Sequence, residues 1–205
     1  MNRMAMTFFT LSLITIPAYV QAISQQLAQS KCSLTEANSP SVRGVRLGMS
    51  TEQLLRLFPG SSKRKEIRDA LERVKAATSG ETVYLSFDPA TDAGGDKFAG
   101  VDSVSAGLYK GRVVDFTVLY FGPTWRTIDE WIARLSEALN LPGGPEWAVG
   151  PNETPNKILK CKGIEIEGTI QGGGGSIRIR NTEYLKEPED RTNAVEERKR
   201  REFKP

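Results

Sequence analysis

The stretch from Arg43 to Gly60, RGVRLGMSTEQLLRLFPG, constrains its own structure more tightly than any other part of the chain. Ser50 is a natural N-cap, and Gln53 three residues on completes a capping box. Met49 before the cap and Leu54 after it can close as a hydrophobic staple. Leu54, Leu55, Leu57 and Phe58 give the helix one apolar face, which needs a partner surface. Pro59 and Gly60 then stop it, because proline cannot continue a helix and glycine suits the exit. The pattern predicts a helix over about 50–58.

The rest of the chain supplies the partner surfaces. Ile67, Ala70, Leu71 and Val74 recur at helical spacing, predicting a second helix within 62–79 that Gly80 closes. Thr82 to Phe87 alternates like a strand, and Asp88 to Gly100 reads as a loop. Residues 101–109 and 112–121 read as a hairpin around Lys110-Gly111, with Tyr109 opposite Arg112. Thr127 and Glu130 form a second potential capping box. Ile128, Trp131, Ile132, Leu135, Ala138 and Leu139 form the apolar face of the helix they open, and Leu141-Pro142-Gly143 ends it. Strands at 157–162, 164–170 and 176–182 come next. In the last pair, Ile164, Ile166 and Ile170 are even while Ile177 and Ile179 are odd. Like faces like only with an even-length turn within Gly172–Gly175, and Glu165 and Glu167 then lie against Arg178 and Arg180.

A capped helix, a Pro-Gly stop and antiparallel strands therefore occur twice. The expected class is α+β, as two similar units with helices on one face of a curved antiparallel sheet. The domain reading is a leader at 1–22, an N-terminal lead at 23–42, units at 43–122 and 123–183, and a charged tail at 184–205. In that tail, 13 of the last 20 residues are charged, so it is expected to be disordered or a frayed exposed helix.

The turn Leu47-Gly48-Met49-Ser50, with Leu54, Leu55 and Gly60 behind it, resembles the opening of two groups of small periplasmic domains. These are the BamE (SmpA/OmlA) outer-membrane lipoproteins and the beta-lactamase inhibitory proteins. The resemblance implies a helix pair packed on a curved antiparallel sheet. The doubled pattern over 42–182 is similar to the two-repeat plan of the inhibitory proteins. Neither the lipid anchor nor the inhibitory activity carries over. Lys31 stands where a lipoprotein needs a small residue before Cys32, and the inhibitors' contact residues have no counterparts here.

Arg3, the apolar run from Ala5 to Ile16 and the close Val20-Gln21-Ala22 read as a secretory leader cleaved after Ala22. The run is too short to anchor, and Pro17 breaks it, so no stable membrane anchor is expected after cleavage. The address is the periplasm or the secreted fraction. There the only two cysteines, Cys32 and Cys161, are expected to bridge. Their spacing is not that of a redox-active pair. The chain has 28 basic and 25 acidic residues; losing Arg3 leaves 27 against 25, a net charge of +2. That is too small to imply nucleic acid.

The absence of histidine removes His-based triads and the usual zinc ligands. Glu165 and Glu167 fall about 7 Å apart on one strand face, near the spacing of an inverting glycosidase pair. Arg178 and Arg180 on the next strand favour a neutralised charge ladder instead. Asp88, Asp92, Asp96 and Asp102 could offer oxygens to calcium, but they match no EF-hand loop and read as acidic turns. Gly172 to Gly175 lacks the Lys-Ser/Thr of a phosphate loop and reads as a hairpin turn. Of the tryptophans, Trp131 belongs to the core, Trp147 to a lid on it, and Trp125 is the exposed one.

The functional expectation is a non-enzymatic binding module without a cofactor. Its partner would be another envelope or secreted protein, held on the sheet face away from the helices. Leu108, Val113, Asp115, Thr117 and Leu119 are expected to line that surface. The face carrying Val114, Phe116, Val118 and Tyr120, opposite small Ser103, Ser105 and Gly107, would meet the core. A carboxylate hydrolase and a structural envelope protein are the alternatives. Intact-mass analysis of the exported protein should find residues 1–22 removed and Ile23 as the new N-terminus; a mass that retains the leader would overturn the secretory reading.

Overall fold

The structure is a computed structural model that describes residues 32–76, 81–151, 153–172, 174–184 and 200. The leader, Gly80 and nearly all of the charged tail lie outside the described residues. Ser50 caps α1 (Thr51–Leu57) as its sequence dictates: its side chain accepts from the Gln53 amide, and Gln53 returns to the Ser50 N–H. Pro59 opens a 3-10 turn, and α2 (Lys65–Ala76) comes after it. β1 (Val83–Phe87) leads into the short α3 (Pro89–Asp92), where a structureless loop was expected. Pro89 at the first helical position and Asp88, accepting from the Ala90 amide, build that turn.

The hairpin β2 (Val101–Tyr109) and β3 (Arg112–Tyr120) turns at Lys110-Gly111, with Tyr109 opposite Arg112. Lys110 and Gly111 both take positive φ, as a two-residue hairpin requires. Then comes α4 (Ile128–Leu139). Its Thr127 cap accepts from Glu130 N–H, but Glu130 takes the Arg126 amide rather than closing a full box. Asn140, in the left-handed region, ends the helix. β4 (Ala148–Val149), β5 (Asn156–Lys160), β6 (Ile164–Gln171) and β7 (Gly174–Asn181) complete the sheet, and residues 182–184 then open a helical turn.

All seven strands form one open antiparallel sheet in the order β1-β2-β3-β7-β6-β5-β4. The α+β class is as expected, and the strands of the two expected units are continuous across the β3–β7 pairing. In β6 and β7, Glu165 lies opposite Arg180, Ile166 opposite Ile179, Glu167 opposite Arg178 and Gln171 opposite Gly174. The turn is therefore even, and the isoleucines share one side.

The end of α1 and the whole apolar side of α4 pack on that inner side. Phe58, at the end of α1, stacks on Phe87 of β1 at 4.2 Å and meets Phe98 at 4.8 Å. Full burial of a phenylalanine contributes about 1.5–3 kcal/mol. At the other half of the sheet α4 comes very close, because β6 and β7 offer it glycines. A Cβ on Gly175 would lie 2.7–2.8 Å from the indole ring of Trp131, and one on Gly168 would lie 2.5 Å from Ile132 Cδ1. The Trp131 indole N–H then reaches the Ser176 carbonyl at 3.0 Å.

One expectation about the hairpin is overturned. Its register shifts twice, leaving Asp102 and Val114 as bulged residues. Between the bulges Val104 pairs with Val118 and Ala106 with Phe116, all on the core side. Ser103, Ser105 and Gly107 pair instead with Leu119, Thr117 and Asp115 on the outer side. Beyond the second bulge, Leu108 and Val113 pair within the core, 1% and 0% exposed. The five residues expected on one surface are thus divided between two. The physical cause is a change of partner along the outer edge of β3. Near its start the Gly48 N–H donates to the Val113 carbonyl at 2.8 Å, and the Val113 N–H donates to the Met49 carbonyl at 2.9 Å. From Asp115 onward the same edge pairs with β7.

Cys32 and Cys161 form a disulfide across a separation of 129 residues. It fixes the start of the described chain to the turn between β5 and β6. In the chain-entropy treatment a loop of that length contributes about 5 kcal/mol. Thermal melts should show the Cys32→Ser/Cys161→Ser double variant falling by roughly 10 °C or more, matching wild type in reductant. An unchanged transition would show that the bridge does not contribute to stability.

Candidate binding face

The outer side of the sheet is polar along its middle strands, and toward the hairpin turn the ring of Tyr184, in the helical turn that follows β7, lies 5.5 Å from that of Tyr109. Along one line of cross-strand neighbours lie Tyr84, Gly107, Asp115, Arg180, Glu165 and Lys160. Along the next lie Ser86, Ser105, Thr117, Arg178, Glu167 and Ile158. Strand alternation puts these side chains on one side, and burial of the isoleucine and valine side fixes which side that is.

The charges on this face are held in place. Arg178 lies opposite Thr117 but reaches diagonally to Asp115: its Nε donates to Oδ1 at 3.0 Å, and Nη2 donates to Oδ2. This is the planar two-bond geometry that makes arginine–carboxylate pairs specific. Asp115 is only 1% exposed, and the fork supplies the partner that a buried carboxylate needs. The Tyr84 hydroxyl adds a bond to Asp115 Oδ2 at 3.3 Å. The hydrogen bond to Asp115 holds the Arg178 guanidinium above its already high ordinary value, against the opposing effect of burial. Arg180 pairs with Glu165. Glu167 lies opposite Arg178, as expected, and its carboxylate accepts from the Asn156 amide at 2.6 Å. The two glutamates considered as a catalytic pair therefore each have a separate polar partner. That arrangement suits a fixed surface better than acid–base exchange.

Of the five residues expected to bind, Asp115, Thr117 and Leu119 are on this outer face. Asp115 lies beneath Arg178, while Thr117 and Leu119 are half-buried beside it. Leu108 and Val113 belong to the core. Tyr84, half exposed at the edge of the face, was not singled out from sequence. Its membership comes from the pairing of Tyr84 with Gly107, whose missing side chain leaves room for the ring: a Cβ there would sit 3.0 Å from Tyr84 Cε1.

The other candidates are occupied structurally. Asp92 is buried and holds Arg64 at 2.7 Å and the Asp88 amide at 2.9 Å. Among the described residues no group of three or more acids or cysteines is placed to hold a metal ion. Trp131 is core, and Trp147 is buried with its indole N–H on the Pro142 carbonyl at 3.0 Å. Trp125 is half-buried, its ring 5.1 Å from that of Trp131. Among the described residues no helix is long and apolar enough to cross a membrane. No protein-family model, curated protein or solved structure matches this chain.

Burial, and then the Asp115 charge, push the Tyr84 phenol above its ordinary value. A phenol raised in the folded state contributes stability that is present below the unfolded value of about 10 and lost as pH climbs through the folded one. Denaturant melts from about pH 9 to about pH 11 should show wild type losing stability more steeply than Tyr84→Phe. Parallel slopes would remove Tyr84 from the Asp115 network.

Proposed function

We propose that this protein is a non-enzymatic binding module of the periplasm or the secreted fraction. It holds another envelope or secreted protein on the outer face of its sheet. The observation that carries this reading is the state of that face: its charged side chains are already fixed by the Asp115–Arg178 fork and the Glu165–Arg180 pair. A surface ordered before binding loses little side-chain entropy when a partner arrives. Fixed charges discriminate between partners more than they add affinity. Thr117 and Leu119 supply the less polar centre beside the fork. The disulfide supports an oxidising compartment.

The test is capture from envelope extract by the leaderless protein, with Thr117→Glu and Leu119→Glu set against Val149→Glu. Val149 is 81% exposed on the edge strand β4, away from the outer face, and serves as the control. The two face variants should keep the wild-type melting transition and lose capture by about tenfold or more, as central interface positions do. The control should capture normally. Equal capture by all three variants, or a Leu119→Glu melt as low as that of a core substitution, would overturn the assignment.

A further inference from the structure

The end of the sheet remote from the Lys110-Gly111 turn holds a cleft of about 840 Å³, separate from the outer face. Its wall includes Arg43, Tyr120, Phe121, Trp125, Trp131 and Leu135. The rings are arranged at angles to one another: Tyr120 meets Trp131 edge-on at 5.6 Å, and Trp125 lies tilted on Trp131 at 5.1 Å. Phe121 stands 62% exposed at the cleft, an unusual place for so apolar a side chain without a contact to make. The rings give a large apolar wall of fixed shape, suited to a flat apolar body.

The charge in that wall is unbalanced. Among the described residues its acid is Glu137, and Arg134 takes it at 2.6 Å. Arg43 is the cation left over. It sits in the left-handed region, φ 54°, in a two-residue turn closed by reciprocal Val42–Val45 hydrogen bonds of 2.9 Å. As at Lys110-Gly111, the positive φ is what a two-residue turn requires, and it fixes where the Arg43 side chain starts. One Nη2 bond to the Ala99 carbonyl, 3.0 Å long, steadies the guanidinium at the cleft. Arg43 also lies against the Tyr120 phenol, which burial pushes above its ordinary value while the arginine pulls it down. A guanidinium keeps several donors after one such bond, and its fork matches a carboxylate or sulfonate.

We propose that this cleft binds an organic anion with a flat apolar body, the acid group on Arg43 and the body against Tyr120, Phe121 and Trp125. A neutral apolar ligand would leave the guanidinium unanswered, and a cation would be repelled by it.

The probes are 1-anilinonaphthalene-8-sulfonate and its uncharged analogue N-phenyl-1-naphthylamine, read by energy transfer from the cleft tryptophans of the leaderless protein. The sulfonate should bind saturably at one site. Arg43→Gln should weaken it about tenfold or more, the scale of one charge-assisted contact, while shifting the neutral probe less than about twofold. Arg43→Lys should retain an intermediate affinity. Phe121→Ser removes an exposed ring and leaves folding intact whatever Arg43→Gln does, and it should weaken both probes. The proposal is overturned if Arg43→Gln or Phe121→Ser leaves sulfonate binding unchanged, or if both probes respond alike to Arg43→Gln. It is also overturned if sulfonate sites disappear as protein concentration rises, because a second copy then fills the cleft.

Discussion

β3 is the strand through which the rest of the molecule is connected. One edge pairs with β2 along its length. The other edge is shared, first by the backbone of Gly48 and Met49 and then by β7. Each part of this sharing satisfies backbone groups that burial would otherwise leave unpaired. It also joins distant pieces of chain: the entry to α1, the hairpin and the last strand meet on one segment of nine residues. The Val114 bulge lies where the second edge changes partner. An extra residue there re-aims the remainder of the strand, so Asp115 turns outward to Arg178 while Phe116 and Val118 turn inward to Ile179 and Ile177. The inner core and the outer charge network therefore depend on the same irregularity.

The two faces of the sheet are built by different physics. The inner face is held by close packing, and its limits are steric: Gly168 and Gly175 are where α4 is allowed to approach, and Trp131 fills the space they leave. The outer face is held by paired charges. Exposed ion pairs contribute little to stability, but Asp115 is not exposed, and an unpaired carboxylate at that position would be costly. The fork with Arg178 thus both permits the burial and fixes the side chains of the outer face. Arg64 and Asp92 repeat the device on the helix side, tying the start of α2 to the end of α3.

Two surfaces of different chemistry result. The outer face is polar, and its arginines are paired with acids. The cleft beside Arg43 is concave, aromatic and carries an unanswered positive charge. They lie on separate parts of the molecule, so a protein partner and a small anion could be held without competing for the same side chains.

The sequence by itself determined the local elements: the cap of α1 from Ser50 and Gln53, the Lys110-Gly111 turn, the isoleucine register of β6 and β7, and the Cys32–Cys161 bridge. Each rests on residues close in sequence or, for the bridge, on there being only two cysteines. Asp115, Thr117 and Leu119 were legible as outward-facing because they alternate within one unbroken run of β3. The tertiary structure alone decided that Leu108 and Val113 are core, that Glu167 turns to Asn156, that Tyr84 joins the outer face and that Arg43 meets Tyr120. A bulge arises where a strand changes partners, and its effect is to reverse every face beyond it. Which partners meet is a property of the folded chain, because residues such as Tyr84 and Asp115, 31 positions apart, or Gly48 and Arg112, 64 apart, meet only there.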